Sequence, residues 1–176
     1  MLFSQCTIAG AWVVELAPHN DERGRFARAW CSVEFAQHSI DFVPLQANIV
    51  LSQRAGTIRG LHYQVDPSPE AKLVRCTRGA VFDVIVDLRP ASVSYRKWFA
   101  TQLSADNGRM LYLPAGCAHG CQSLEANTEI YYMASALFAA KDARGLRYDD
   151  PAIGITWPLP VTSLSEQDSD WPALQP

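Results

Sequence analysis

The sequence predicts a mainly β protein, a sandwich or barrel, on two observations. Short apolar or alternating runs recur along the 176 residues, and Gly, Pro, Asn and Asp interrupt them about every ten residues, the pattern of many short strands joined by turns. Only Ser32 to His38 reads as a helix. It is short and places Glu34 in its first turn, where the helix dipole favours an acid.

Taken in order, the strand candidates are Trp12 to Leu16, Ala47 to Leu51, the stretch through Ile58 to Gln64, Leu73 to Thr77, Ala80 to Leu88, Met110 to Leu113 and Glu129 to Met133. Turn residues separate them at Arg78-Gly79, Arg89-Pro90, Asp106-Asn107-Gly108 and Asp149-Asp150-Pro151. The tail from Asp150 to Pro176 is Pro-rich and poor in strand signals, yet Ile153, Ile155, Trp157, Leu159 and Trp171 make it too apolar for a disordered segment. It is expected to pack back on the barrel and to bring Asp168 with it. With no repeat, low-complexity tract or linker, residues 1–176 read as one domain.

Composition removes several classes of function. The net charge of −3 leaves no global basic field to recruit nucleic acid or anionic lipid, so any anion is held by a few placed cations. No window approaches the ~20 apolar residues of a membrane span. Met1 to Cys6 lacks the basic flank and apolar core of a signal peptide, and a cytoplasmic protein is expected. The five cysteines are odd in number and lie among strand-like residues, as buried reduced thiols do. Cys117 and Cys121 bracket His119, but no second Cys pair stands at metal-ligand spacing, so no metal site is expected.

The chemistry concentrates in Gly56-Thr57-Ile58-Arg59-Gly60-Leu61-His62-Tyr63-Gln64 and the nearby Lys72. Strand alternation puts His62 and Gln64 on one face and Leu61 and Tyr63 on the other. A lone inward histidine is usually a satisfied core residue. Here Lys72 opens the next strand after Pro67-Ser68-Pro69, and a hairpin is expected to return it beside His62. Lys and Arg are rarely buried unpaired, so Arg59, Lys72 and Arg75 imply internal carboxylates or a bound anion. Downstream, Pro114-x-Gly116-x-x-His119 is a tight turn feeding a strand with an inward histidine, and of Tyr131 and Tyr132 one phenol must point inward.

These residues, in this order, resemble the sugar-nucleotide 3,5-epimerases that act on dTDP-4-keto-6-deoxyglucose in the dTDP-L-rhamnose pathway, which serves polysaccharide and lipopolysaccharide synthesis. The resemblance also takes in Asp21-Glu22-Arg23-Gly24-x-Phe26, Lys72-Leu73-Val74-Arg75, Phe82 to Arg89, Leu113-Pro114-x-Gly116-x-Ala118-His119-Gly120, Arg144 to Pro151 and Ser165-Glu166-x-x-Asp168. It implies a cupin-type jelly-roll barrel with a few short helices, a homodimer with strands exchanged between protomers, a nucleotide-sugar substrate and no cofactor. It implies that His62 is the base, oriented by Asp168, that Tyr132 is the proton donor, and that Lys72 lies beside the ketone oxygen. Arg59 and His119 match residues around the pyrophosphate and sugar, and Gln46 and Asn48 match the family's Gln-x-Asn pair. Arg23 matches a residue that reaches the nucleotide from the partner subunit, and Phe26 in the same motif is counted with the substrate-binding residues.

The chemistry of the residues agrees. A C4 ketone acidifies the protons on C3 and C5, and their removal needs a neutral imidazole whose tautomer a carboxylate fixes. A cation then stabilises the enolate oxygen. Inversion requires a second acid on the opposite face, and Tyr132 is the candidate.

Four positions depart from the family pattern. Arg28 and Ala143 each stand where a Glu is expected, Phe138 where a Tyr stacks on thymine, and Met133 where a Lys often follows the tyrosine. Phe138 can still stack, since stacking uses the ring. A guanidinium at Arg28 suits the N3 acceptor of cytosine, so an epimerase of one carbon, or of another nucleotide sugar such as a CDP-hexose, is the alternative, unless Arg28 faces solvent or pairs with a phosphate. Two further classes are a metal-dependent cupin, for which His62-x-Gln64 with Glu70 and His119 makes a poor ligand set, and a non-catalytic sugar-nucleotide-binding module.

Overall fold

The computed structural model describes residues 1–174. The chain runs through β1 (Leu2–Gln5), β2 (Trp12–Glu15), β3 (His19–Asp21), β4 (Gly24–Phe26), α1 (Ser32–Gln37), β5 (Gln46–Ser52), β6 (Ile58–Gln64), β7 (Lys72–Arg78) and β8 (Ala80–Asp87). It continues through β9 (Trp98–Ser104), β10 (Met110–Leu113), β11 (Cys117–Ser123), β12 (Thr128–Ala134), β13 (Ala143–Gly145) and α2 (Glu166–Asp170). Two antiparallel sheets face each other, one ordered β1-β2-β10-β7-β12-β5 and the other β13-β6-β11-β8-β9, while β3 and β4 form a separate two-stranded hairpin. The expected mainly β architecture is the one observed, and it is the cupin-type sandwich that the resemblance implies.

Strand periodicity builds this arrangement, because side chains two apart share a face. Val74, Cys76, Val81, Ile85, Leu111, Leu113, Cys117, Cys121 and Ile130 point between the sheets and form the inner core. Intervening residues serve the outer faces. Val14, Leu73, Met110 and Tyr112 are covered by Phe35, Ile40 and Phe42 from α1 and the segment after it. Burying a ring as fully as Phe35 stabilises the fold by roughly 1.5–3 kcal/mol, which lets a six-residue helix hold its place. Glu34 accepts from the N-terminal ammonium at 2.7 Å and from Arg28 at 2.8 Å, a more specific role than the dipole alone assigns it.

The other outer face, with Leu61, Val84, Val86 and Ala118, is covered by Leu146, Ile153, Ile155 and Trp157. The apolar part of the tail lies against this face. Ile58 N–H donates to Ser163 O at 3.0 Å and Thr57 bridges Ser163, so the tail is tied to the start of β6.

One expectation is overturned. β6 and β7 do not form a hairpin; they lie in opposite sheets. The connection from Val65 to Ala71 is too long for a tight turn, and its own contacts hold it elsewhere: Val65 N–H donates to Asp142 O and the Ser68 hydroxyl to the Asp142 carboxylate. His62 and Lys72 meet across the interior instead of along a ladder.

Candidate active site

The interior is apolar at one end and opens at the other into a cleft of about 520 Å³, lined by His62, Arg59, Lys72, His119, Tyr132 and Asp168 among others. A smaller cavity of about 360 Å³ shares His62, Lys72 and Tyr132 with it and extends to Gln46, Asn48 and Phe138. Nine of the eleven residues singled out in the sequence thus line one continuous depression. Arg23 and Phe26 do not.

The walls come from different sheets. β6 supplies Arg59 and His62, and β11 supplies His119, which stands directly opposite His62 in the ladder. The facing sheet supplies Lys72 from β7 and Tyr132 from β12. Alternation selects them: Tyr132 packs toward the inner core, while Tyr131 lies on the outer face beside Met110 and Met133.

His62 Nε2 is 2.6 Å from Asp168 Oδ1. A carboxylate can only accept, so Nε2 carries the hydrogen and Nδ1 keeps its lone pair. Burial tends to raise the Asp168 carboxyl, but bonds from His62, the Gly60 amide and Ser165 outweigh it and hold the group below its ordinary 3.8. Asp168 is 5% exposed and sits in α2, where the Ser165 hydroxyl caps the helix by accepting from the Asp168 amide at 3.0 Å.

Lys72 is buried and its ammonium lies 2.9 Å from Glu70. It also stands 5.9 Å from the centre of the Tyr132 ring. Burial, and secondarily the charge of Glu70, raises the Tyr132 phenol above 10.0, so it stays protonated at neutral pH. His119 donates from Nε2 to the fully buried Asp83 at 2.9 Å. Arg59 donates from Nε to the Ser52 hydroxyl at 3.1 Å and from Nη2 to Leu51 O at 3.0 Å. No carboxylate pairs with it among the described residues, which leaves its charge for an anionic ligand.

At the other end, Gln46 links Asn48 and the Phe138 amide: its Nε2 donates to Asn48 Oδ1 at 3.1 Å, and its Oε1 accepts from Phe138 N–H at 3.0 Å. Asn48 Nδ2 is buried with no partner among the described residues, a donor held ready for a ligand. The Phe138 ring is 65% exposed. Arg28 lines neither cavity of its own protomer; its guanidinium is exposed and pairs with Glu34. Gln64 turns inward as expected but is spent on structure, donating to Ser68 O and accepting from Ala139 N–H.

Two partners escaped the sequence reading. Asp83 is an inward-facing carboxylate in the apolar run Ala80 to Leu88, and such a position demands a buried partner. Glu70, in the sequence a candidate only for a metal ligand set, neutralises Lys72. No group of three or more His, Cys, Asp and Glu converges among the described residues.

Comparison with known proteins gives a consistent result. The family described as dTDP-4-dehydrorhamnose 3,5-epimerase matches residues 5–176. The dTDP-4-dehydrorhamnose 3,5-epimerase of Sinorhizobium fredii is 45% identical over 175 residues, covering 99% of this chain and 90% of that protein. The crystal structure of the Bacillus anthracis enzyme of that name, with TDP and PPi bound, superposes with a TM-score of 0.95 at 34% identity, covering 98% of this chain and 99% of the other. A 3'-monoepimerase from Streptomyces bikiniensis, in complex with dTDP-quinovose, gives 0.88 at 33%, covering 96% and 85%.

Proposed function

The chain belongs to the dTDP-4-dehydrorhamnose 3,5-epimerase family, and we propose that its cleft performs that reaction through His62, Asp168, Tyr132 and Lys72. It converts dTDP-4-dehydro-6-deoxy-D-glucose to dTDP-4-dehydro-L-rhamnose by inverting the two carbons that flank the C4 ketone. The observation that carries the assignment is the placement of His62 and Tyr132 on opposing sheets around one cleft. A base and an acid on the same wall could only exchange a proton; on facing walls they can invert a centre.

The steps follow from the side chains. The Nδ1 lone pair of His62 takes the proton from C3 or C5, and the C–H electrons move into the C4 carbonyl to give an enolate. Asp168 fixes the tautomer and stabilises the imidazolium that forms. The buried Lys72 ammonium neutralises the enolate oxygen, and Glu70 keeps that ammonium placed. The protonated Tyr132 phenol delivers a hydrogen to the opposite face of the carbon. The resulting phenolate and imidazolium then return to their starting states by exchange with solvent, and the cycle repeats at the second carbon.

Binding uses the rest of the cleft. Arg59 and His119 face the diphosphate, and Gln46, Asn48 and Phe138 face the base, with the Phe138 ring as the stacking platform. Arg23 and Phe26 serve the partner subunit's site. Support for this comes from the β3–β4 hairpin, which joins neither main sheet and leaves Arg23 and Phe26 largely exposed, at 84% for the Arg23 side chain and 74% for Phe26. A homodimer that exchanges these strands gives the hairpin a surface to cover. Five unpaired cysteines suit a reducing cytoplasm; no helix among the described residues is long and apolar enough to cross a membrane.

The test is proton NMR of dTDP-4-dehydro-6-deoxy-D-glucose with the protein in heavy water, following each carbon separately. Deuterium entry at C3 and C5 with accumulation of the L-rhamno product is expected. Exchange confined to C3 would replace the double inversion by the 3'-monoepimerase activity, and no exchange at either carbon would overturn the assignment.

A further inference from the structure

Trp171 follows α2 immediately, and its indole lines both the smaller cavity beside His62 and a separate outer cavity of about 430 Å³. It forms the wall between them together with Tyr63 and Arg144. Gly145 stands opposite His62 in the ladder of β13 and β6, and a Cβ there would lie 2.3–2.5 Å from three atoms of the indole. The ring occupies the space that the missing side chain leaves. It also meets His62 edge-on, with centroids 6.4 Å apart and planes at 69°. Its Nε1 is buried without a partner among the described residues, so packing rather than hydrogen bonding seats the ring.

The helix that carries Asp168 needs such an anchor. Five residues are too few for a helix to stand by itself, and within α2 only Asp168 is buried. The Ser165 cap and the Ser163 bridge secure the segment before it. Its far end ends in Trp171.

We infer that Trp171, seated on Gly145, is a positioning residue for the His62 and Asp168 pair: it fixes the end of α2 and closes the outer side of the imidazole against water. The inference rests on the epimerase assignment for its kinetic consequence, but not for its geometry.

The test compares W171A, W171F and G145A with wild type, the last keeping the indole but displacing it from its seat. In protein carrying ¹⁵N-histidine and no substrate, the His62 ring is expected to give the signature of a fixed Nε2–H tautomer in wild type and W171F, and an averaged ring in W171A and G145A. With substrate, W171A and G145A are expected to lose on the order of 10²-fold in kcat with KM little changed, as a displacement of about 1 Å costs. In a D168N background, W171A is expected to cost less than about threefold more, because residues acting as one unit are not additive. Should W171A fail to fold, G145A carries the test with W171F as the conservative control. An unchanged tautomer in the displaced variants, or the same loss with and without Asp168, overturns the inference. The spectrum needs no substrate, so a wild type without turnover would sink the epimerase assignment alone.

Discussion

His62 Nε2 and Asp168 Oδ1 lie 2.6 Å apart, although 106 positions separate the two residues in the chain. The bond joins a strand of one sheet to the tail that wraps the barrel, and it decides which imidazole nitrogen carries the hydrogen. Replacing Asp168 by Asn keeps the size and removes the charge, so the tautomer is no longer fixed and the imidazolium loses its counterion. D168N is expected to fold normally and lose ~10³–10⁴-fold in kcat, the scale seen when an orienting carboxylate is neutralised elsewhere. Steady-state kinetics with circular dichroism checks this, and a loss under tenfold would deny Asp168 its role. The folded carboxyl sits below 3.8, so this contact contributes its full stability above that value and loses it as pH falls through the lowered folded pKa.

Tyr132 separates proton removal from inversion. In Y132F the base and its carboxylate remain, and so does the Lys72 ammonium near the ring position. The enolate should still form, and His62 can return a solvent deuteron to the face from which it took the proton. Deuterium exchange with retained configuration is the expected outcome, read as label entry by NMR without the rhamno product. Continued inversion at the wild-type rate would mean that another group is the acid.

Which side chains face the cleft was legible in the sequence; which wall each belongs to was not. Period-two alternation turns His62 inward from local information alone and requires that one of Tyr131 and Tyr132 do the same, without saying which. It cannot say that the chain crosses between sheets after Gln64, because that depends on the contacts of Ser68 and Val65 with Asp142, more than 70 residues away. The short strands β1, β3, β4 and β13 have three or four residues each, too few for alternation to register. α2 was missed despite a usable signal, since Ser165 followed three residues later by Asp168 is a helix-start pattern. Asp83 was hidden by its strand, because propensity ignores a buried charge whose partner, His119, comes 36 residues later.

An exchanged dimer predicts complementation between two dead variants. R23A damages the site of the partner, whereas H62N damages its own. When the two are co-expressed, half of the dimers are mixed, and each mixed dimer holds one site with both native residues, so about a quarter of wild-type activity is expected. Separately expressed R23A and H62N should both be weak. A mixture no more active than its components would place Arg23 in its own protomer's site, or outside any site.

Asp87 should govern acid stability without touching the chemistry. Fully buried at the end of β8, it accepts from the Arg89 amide, from Arg89 Nε and Nη2, and from the Ser92 and Ser94 hydroxyls. Arg89 in turn donates to Ala9 O at 2.6 Å and packs on Gly116, where a Cβ would meet its Cγ at 2.6 Å. The cluster ties the N-terminal turn and the Pro114–Gly116 turn to the end of β8. Burial tends to raise the Asp87 carboxyl, yet these donors overcome it and hold the group far below 3.8. Because the folded pKa is depressed, the unfolded chain binds more protons on acidification. The contribution is whole above 3.8 and declines as pH falls below it. Breaking such a buried pair costs roughly 3–5 kcal/mol at neutral pH, so D87N should unfold at lower urea and show a flatter fall in stability between neutral pH and the acid limb. Parallel curves for the two proteins would remove Asp87 as the source of the slope.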